Sequence, residues 1–263
     1  MSKKLLFSII TVTCNNIAGL KRTAKSIEIQ EFQDYEWIVI DGASNDGSSE
    51  WLKLSKANWT SEEDDGIYHA MNKGMKRGSG QYLLFLNAGD ILAGKNVLEH
   101  LAQEIANEPI EPDFVYGDSL ESNKNNKPIR KPARSHEQVV SGMFTHHQAM
   151  LYKREALANL RYSPLYDIAA DYDFTMRFLK QAKNILYCKY PVCVFEPGGV
   201  SQRKALQGRA EQFQIRKNLG TKDSVNAAVF VAQTIAWNFR KIFPSLYWKA
   251  KSGKKSSGSK SND

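Results

Sequence analysis

The chain has 263 residues, enough for one sizeable core or one core plus a small appendage. Its 42% hydrophobic and 24% charged residues are those of a globular protein, but the net charge of +8 is unevenly spread. Residues 203–263 hold 13 Lys+Arg against 3 Asp+Glu, leaving −2 for residues 1–202, which excludes a basic nucleic-acid-binding body. Three cysteines, Cys14, Cys188 and Cys193, form no CxxC pair and leave an odd thiol, arguing against a disulfide framework or a zinc site and for a reducing cytoplasm.

The elements follow in chain order. Phe7 to Thr13 is a β-branched run expected to form a buried parallel strand rather than a signal peptide, since Thr11 and Thr13 interrupt it and Asn15-Asn16 follow. Asn16 caps a helix running to Gln30, with Leu20, Ala24 and Ile27 on one face. Glu36 to Ile40 is a second strand ending at Asp41, Ser48 opens a short helix to Leu54, and Trp59 marks a third strand. A helix over Ile67–Arg77 precedes a strand from Tyr82 to Leu86, a helix over Asn96–Asn107 and a strand over Phe114–Gly117. This alternation predicts an α/β fold whose mostly parallel central sheet gathers its ligands at the carboxyl ends of the strands, where Thr11, Asp41 and Asp90 fall.

The second half is more mixed. Ser119 to Arg134 is a loop or hairpin, Ala149–Tyr152 a strand, Ala169–Ala182 a helix, and Ile185–Phe195 an extended pair broken at Pro191. Gly198-Gly199 is a turn or a loop able to close over a ligand. Helices over Gln202–Asn218 and Ser224–Ile242 form a C-terminal extension, and a Ser/Lys/Gly segment from Ser252 reads as disordered. The expected division is therefore 1–202, 203–251 and 252–263. No run is long enough to span a membrane.

Between Ser61 and Asp90 acids, a lysine and a strand-end carboxylate lie within about thirty residues, the parts needed to hold a metal-bound diphosphate. Asp41-Gly-Ala-Ser-Asn-Asp-Gly-Ser offers a carboxylate for a base N–H, or an ordinary Asx turn with a helix cap. Together with SIITVTCNN at Ser8–Asn16, LFLNAGD at Leu84–Asp90, HQAMLYKR at His147–Arg154 and ADYDFTMRF at Ala170–Phe178, these segments resemble family 2 glycosyltransferases of the GT-A fold, of the type that builds bacterial cell-surface polysaccharides. The resemblance covers about residues 5 to 202.

The resemblance implies an inverting glycosyltransferase that moves a sugar from a nucleoside-diphosphate donor, UDP-linked, to a glycan or polyprenyl-diphosphate saccharide at the cytoplasmic face of the inner membrane. Thr11, Thr13, Asn15, Asp41, Ser44, Asp64, Lys73 and Asn87 would then contact the donor, although Lys73 could equally be a solvated helix lysine. Asp90 would bind Mg²⁺ or Mn²⁺. The Asp-x-Asp of many family members is here Asn87-Ala88-Gly89-Asp90, with His147 as a further ligand or a packed histidine. Asp171 occupies the position of the family's general base, with Asp173 in reserve, and both would also suit the start of a helix dipole. Ala170 replaces the glutamate that usually precedes.

Lys127, Arg130, Lys131 and Arg134 form a basic loop, either solvated or touching the diphosphate of a lipid-linked acceptor. Aromatic and basic residues from Ala227 to Trp248 fit an anionic membrane surface, or a helix packed on its own domain. Two rivals share some of these features. A sugar-phosphate nucleotidyltransferase needs a basic glycine-rich loop where Cys14-Asn15-Asn16 stands, and a non-catalytic nucleotide-sugar binder would fit the thinned metal motif.

Overall fold

A computed structural model describes residues 5–122, 128–195 and 198–242. In chain order the elements are β1 (Phe7–Thr13), α1 (Ile17–Glu28), β2 (Tyr35–Asp41), α2 (Ser48–Leu52), β3 (Asn58–Ser61), α3 (Ile67–Arg77), β4 (Tyr82–Phe85) and β5 (Ile91–Leu92). They continue as α4 (Val97–Asn107), β6 (Phe114–Ser122), β7 (Pro128–Lys131), β8 (Met150–Lys153), α5 (Ala170–Leu179), β9 (Ile185–Phe195), α6 (Val200–Arg203), α7 (Ala205–Asn218) and α8 (Asp223–Ile242). The contacts divide the chain into two compact units, Met1–Gln212 and Phe213–Asp263.

In the first unit one sheet runs β3-β2-β1-β4-β8-β6-β9-β5, with β7 on β6. The first four strands are parallel, with Thr13 beside Asp41 and Asp41 beside Ser61, so their carboxyl ends share one edge. Pairing outlasts β4, because Leu86 N–H donates to Ile10 O and Ala88 N–H to Val12 O. The Asn87–Asp90 turn is thereby set beside the end of β1. All seven residues of β1 are buried, as its unbroken β-branched pattern requires of a strand covered on both faces.

Helix α1 fixes that turn. Asn16 caps it by accepting from Gly19 N–H at 3.0 Å, while its Nδ2 donates to Ala88 O at 3.0 Å. Thr23 Oγ1 donates to Asp90 O at 2.7 Å and accepts from Gly89 N–H at 3.0 Å. Gly89 has φ 113°, a conformation that strongly favours glycine, which explains Gly directly before Asp90.

Two expectations change. Ile185–Phe195 is one strand, β9, and Pro191 lies in an irregularity opposite Asp118, where a missing N–H does least harm. The helix expected over Gln202–Asn218 is interrupted at Lys204, between α6 and α7. Helix α7 docks on α5: Glu211 Oε2 accepts from Ile168 N–H and Ala169 N–H at 2.9 and 2.8 Å. That carboxylate satisfies free donors at the start of α5. The segment from Ser252 onward lies outside the described residues.

Candidate active site

A cavity of about 930 Å³ opens along the carboxyl edge of the sheet. Its wall includes Thr13, Asp64, Asn87, Asp90, His147 and Asp171, six positions singled out from the sequence. Asp64 Oδ1 accepts from Gly66 N–H at 2.8 Å. A Cβ on Gly42 would lie 2.7 Å from Asp64 Oδ2, so the glycine after Asp41 leaves room for this carboxylate.

The strand end and α5 meet through a chain of polar groups. Asp90 Oδ2 accepts from Gln148 Nε2 at 2.5 Å. Asn87 Nδ2 lies 3.4 Å from His147 Nε2, and His147 Nδ1 lies 3.6 Å from Asp171 Oδ2. Asp171 Oδ1 also accepts from Tyr172 N–H at 2.8 Å and lies 3.4 Å from the Tyr68 hydroxyl, which donates to Ile168 O at 2.7 Å.

Burial raises the Asp171 carboxyl to about 6, opposed in part by the Tyr172 N–H and the Tyr68 hydroxyl. Its side chain keeps 22% exposure, toward the cavity. Burial, helped by the neighbouring His146, pushes the His147 imidazole down to about 3. His147 is therefore neutral at physiological pH and does not form a charged pair with Asp171. Asp173 is different. It is buried, accepts from Arg177 Nε and Nη2 at 2.8 and 2.5 Å, and does not line the cavity. The reserve position for a base is thus occupied by an ion pair.

Several other residues expected to contact the donor or acceptor have partners within the protein. Thr11 sits one side-chain repeat deeper in β1 than Thr13, is fully buried, and accepts from Trp37 Nε1 at 3.0 Å. The Asp41 carboxylate is also fully buried and accepts from Ser44 N–H, Ser44 Oγ and Ser61 Oγ at 3.1, 2.5 and 2.6 Å. Ser44 Oγ accepts from Asn15 N–H at 2.7 Å, and Asn15 Oδ1 from Asn45 N–H at 2.9 Å. Asp41, Ser44 and Asn15 therefore brace the loops after β1 and β2 and do not line the cavity. Lys73 pairs with Glu62 at 2.9 Å and donates to Glu63 O, away from the cavity wall.

The basic loop also has partners within the protein: Arg130 and Lys131 lie on β7 of the β6–β7 hairpin, and Arg134 follows it. Arg130 pairs with Asp118 at 2.6 Å, Lys131 with Glu121 at 2.7 Å, and Arg134 donates to Met143 O at 2.9 Å. None of the three lines the cavity, and Lys127 lies outside the described residues. The carboxylates of β6 neutralise this cluster, a cross-strand pairing that charge spacing alone did not reveal.

The sequence reading also missed residues. Gln148 supports Asp90, and Arg203 and Arg209 are the arginines among the described wall residues. Arg203 had no assigned role, and Arg209 lay beyond the expected domain boundary. Their signal was present only as positive charge after the Gly198-Gly199 turn, which also reaches the wall.

A divalent cation fits the donors present. Asn87 Oδ1, Gln148 Oε1 and Thr13 Oγ1 are buried oxygens on the cavity wall with no hydrogen-bond partner among the described residues, and Asp90 lies beside Gln148. Oxygen donors of this kind suit Mg²⁺ or Mn²⁺. Among the described residues no group of three or more His, Cys, Asp or Glu side chains forms a metal cage. Amide and hydroxyl oxygens would thus complement one carboxylate.

Known proteins resemble this chain in sequence and in fold. A PGL/p-HBAD biosynthesis glycosyltransferase of Mycobacterium bovis is 32% identical over 206 residues, covering 74% of this chain and 79% of its own. Among solved structures, S. aureus TarS in complex with UDP-GlcNAc superposes with TM-score 0.68 at 16% identity, over 86% of this chain and 70% of that one. The mannosyltransferase of Pyrobaculum calidifontis in complex with GDP-Man and Mn²⁺ gives TM-score 0.63 at 16% identity, over 98% and 77%. The fold is the GT-A type, an α/β sheet flanked by helices. Residues 8–161 match the model of glycosyl transferase family 2, which sets aside the nucleotidyltransferase and non-catalytic readings: the chain belongs to that family and is a glycosyltransferase.

Proposed function

We propose that this enzyme is an inverting transferase that moves a sugar from a nucleoside-diphosphate donor, UDP-linked, to a lipid-linked saccharide during surface polysaccharide synthesis at the cytoplasmic face of the inner membrane. The observation that carries the reading is two polar links along one cavity, Asp90–Gln148 and Asn87–His147–Asp171, with the Asp171 carboxyl raised to about 6. The complexes of TarS with UDP-GlcNAc and of the archaeal mannosyltransferase with GDP-Man and Mn²⁺ support a nucleotide-sugar donor and a cation.

In this mechanism Asp171 accepts the proton of the acceptor hydroxyl as that oxygen attacks the anomeric carbon. The bond from that carbon to the diphosphate oxygen breaks as the new one forms, and the nucleoside diphosphate leaves with the electron pair. Asp90, Asn87 and Gln148 would hold Mg²⁺ or Mn²⁺, which supplies positive charge to the departing diphosphate. Arg203 and Arg209 add fixed positive charge at the same cavity. Neutral His147 buttresses Asp171 without competing for its proton at physiological pH.

Thermal shifts with UDP-, GDP- and dTDP-sugars, with and without Mn²⁺, test the donor. Saturation to 100 times Kd adds about 2.7 kcal/mol to stability, enough to move Tm by several degrees. One base should dominate, and its shift should need Mn²⁺; no shift with any donor would remove the reading. Replacing Arg203 and Arg209 together by Ala should raise donor KM by roughly tenfold or more, as loss of charge-assisted contacts does. Lys73→Met should leave donor KM unchanged, because its ammonium is committed to Glu62 and Glu63. Steady-state kinetics at saturating acceptor separates the two.

A further inference from the structure

Helix α8 presents apolar side chains outward. From Ser224 to Phe239 it carries no charge. Its inward face holds one buried polar contact: Asn226 is fully buried, accepts from Arg216 Nε at 2.7 Å and donates to Phe213 O at 3.0 Å. Beside that contact Phe230 packs edge-on against Phe213. Its outward face is apolar. Val231, Ile235, Phe239 and Ile242 recur at helical spacing along one stripe and are 54%, 63%, 45% and 65% exposed. No described helix is long and apolar enough to cross a membrane.

We infer that the outward face of α8 docks on an anionic lipid bilayer, lying in its surface with Val231, Ile235 and Ile242 turned to the acyl chains. The charge of residues 203–263 selects this occupant. In the sequence Arg240 and Lys241 follow Phe239, and the chain continues through Phe243, Leu246, Tyr247 and Trp248 into Lys249, Lys251, Lys254 and Lys255. Aromatics at an interface with cations beside them match acyl chains below and acidic headgroups above. A second copy of this chain would instead bring two segments of net +10 together, with nothing in them to neutralise that charge. The docking face deepens the membrane placement proposed above and rests on it, but it does not depend on sugar transfer.

Flotation of the full chain with vesicles of phosphatidylcholine, with and without phosphatidylglycerol, tests the surface. The wild-type protein should bind the mixed vesicles and bind neutral ones roughly tenfold less. Val231→Glu with Ile235→Glu should weaken binding to mixed vesicles by at least roughly tenfold, and the same pair changed to Ser by less. Both positions are exposed, so Tm and helix content should stay at wild-type values, which guards against simple misfolding. Wild-type-like flotation of the Glu variant overturns the proposal, as does equal binding to neutral vesicles. A dimer that the Glu variant dissociates, with no vesicle binding, overturns it in favour of a second copy. The donor-dependent thermal shift is read on the same samples. A wild-type protein that gives the thermal shift but does not float refutes the docking face alone, whereas one that floats without a thermal shift refutes the transfer reading alone.

Discussion

Asp171→Asn is expected to lower transfer by about 10²–10⁴-fold, the range removed with a general base, while donor binding in the thermal-shift assay is retained. Tyr172 N–H and the Tyr68 hydroxyl contact Oδ1, and an asparagine Oδ1 can keep accepting at that position. What disappears is the capacity to take a proton. In the wild-type enzyme the carboxyl, at about 6, must be ionised to act, so transfer should rise with pH through about 6 and then level off. The variant should lack that rise.

The same shift has a stability consequence of opposite sign to activity. A carboxyl raised in the folded state binds its proton more tightly there than in the unfolded chain, so stability falls as pH rises from the ordinary carboxylate range through about 6. At neutral pH the ionised Asp171 therefore destabilises the fold. Asp171→Asn should raise stability by about 1–2 kcal/mol, less than the full shift implies because the side chain is partly open to the cavity. Urea unfolding of both proteins at pH 5 and pH 8 checks the sign: the difference between them should grow at pH 8. A variant that loses transfer and also loses stability would have been damaged structurally, and the base assignment would fail.

Asp90→Asn is the second substitution with a large expected effect. Its backbone is held by Thr23, and its side chain by Gln148, so the change removes charge with little change of shape. Metal assistance supplies several kcal/mol to a departing diphosphate, so transfer should fall by about 10²–10³-fold. The change should also abolish the Mn²⁺-dependent part of the thermal shift given by the nucleotide alone, a readout independent of turnover. An unchanged Mn²⁺ response would move the cation away from Asp90 and the buried oxygens of Asn87 and Gln148.

Much of the frame was legible because its causes are local. The β-branched run of β1, the Asn16 cap and the glycine before Asp90 each act within a few residues, and each sits where the sequence put it. The cavity positions Thr13, Asp64, Asn87, Asp90 and Asp171 were also named from sequence, through the family's motifs, whose short segments are legible along the chain. The roles of Thr11, Asp41 and Lys73 depended instead on partners far away in the chain. Trp37 covers Thr11, Ser61 helps to saturate Asp41, and Glu62 takes Lys73.

Choosing between Asp171 and Asp173 required the rotation of α5, which turns one carboxylate to the cavity and the other to Arg177. Two acids separated by one residue on a helix point roughly 200° apart, and only packing says which one faces inward. The same limit applies to α8, whose apolar pattern reads identically whether that face is covered by protein or left open. Sequence by itself determined the family, the order of elements and the chemical types at the strand ends, because short-range sterics and side-chain periodicity act along the chain. Tertiary structure decided which polar groups remain open to a ligand, because burial and hydrogen-bond partnership are made by residues that meet only on folding.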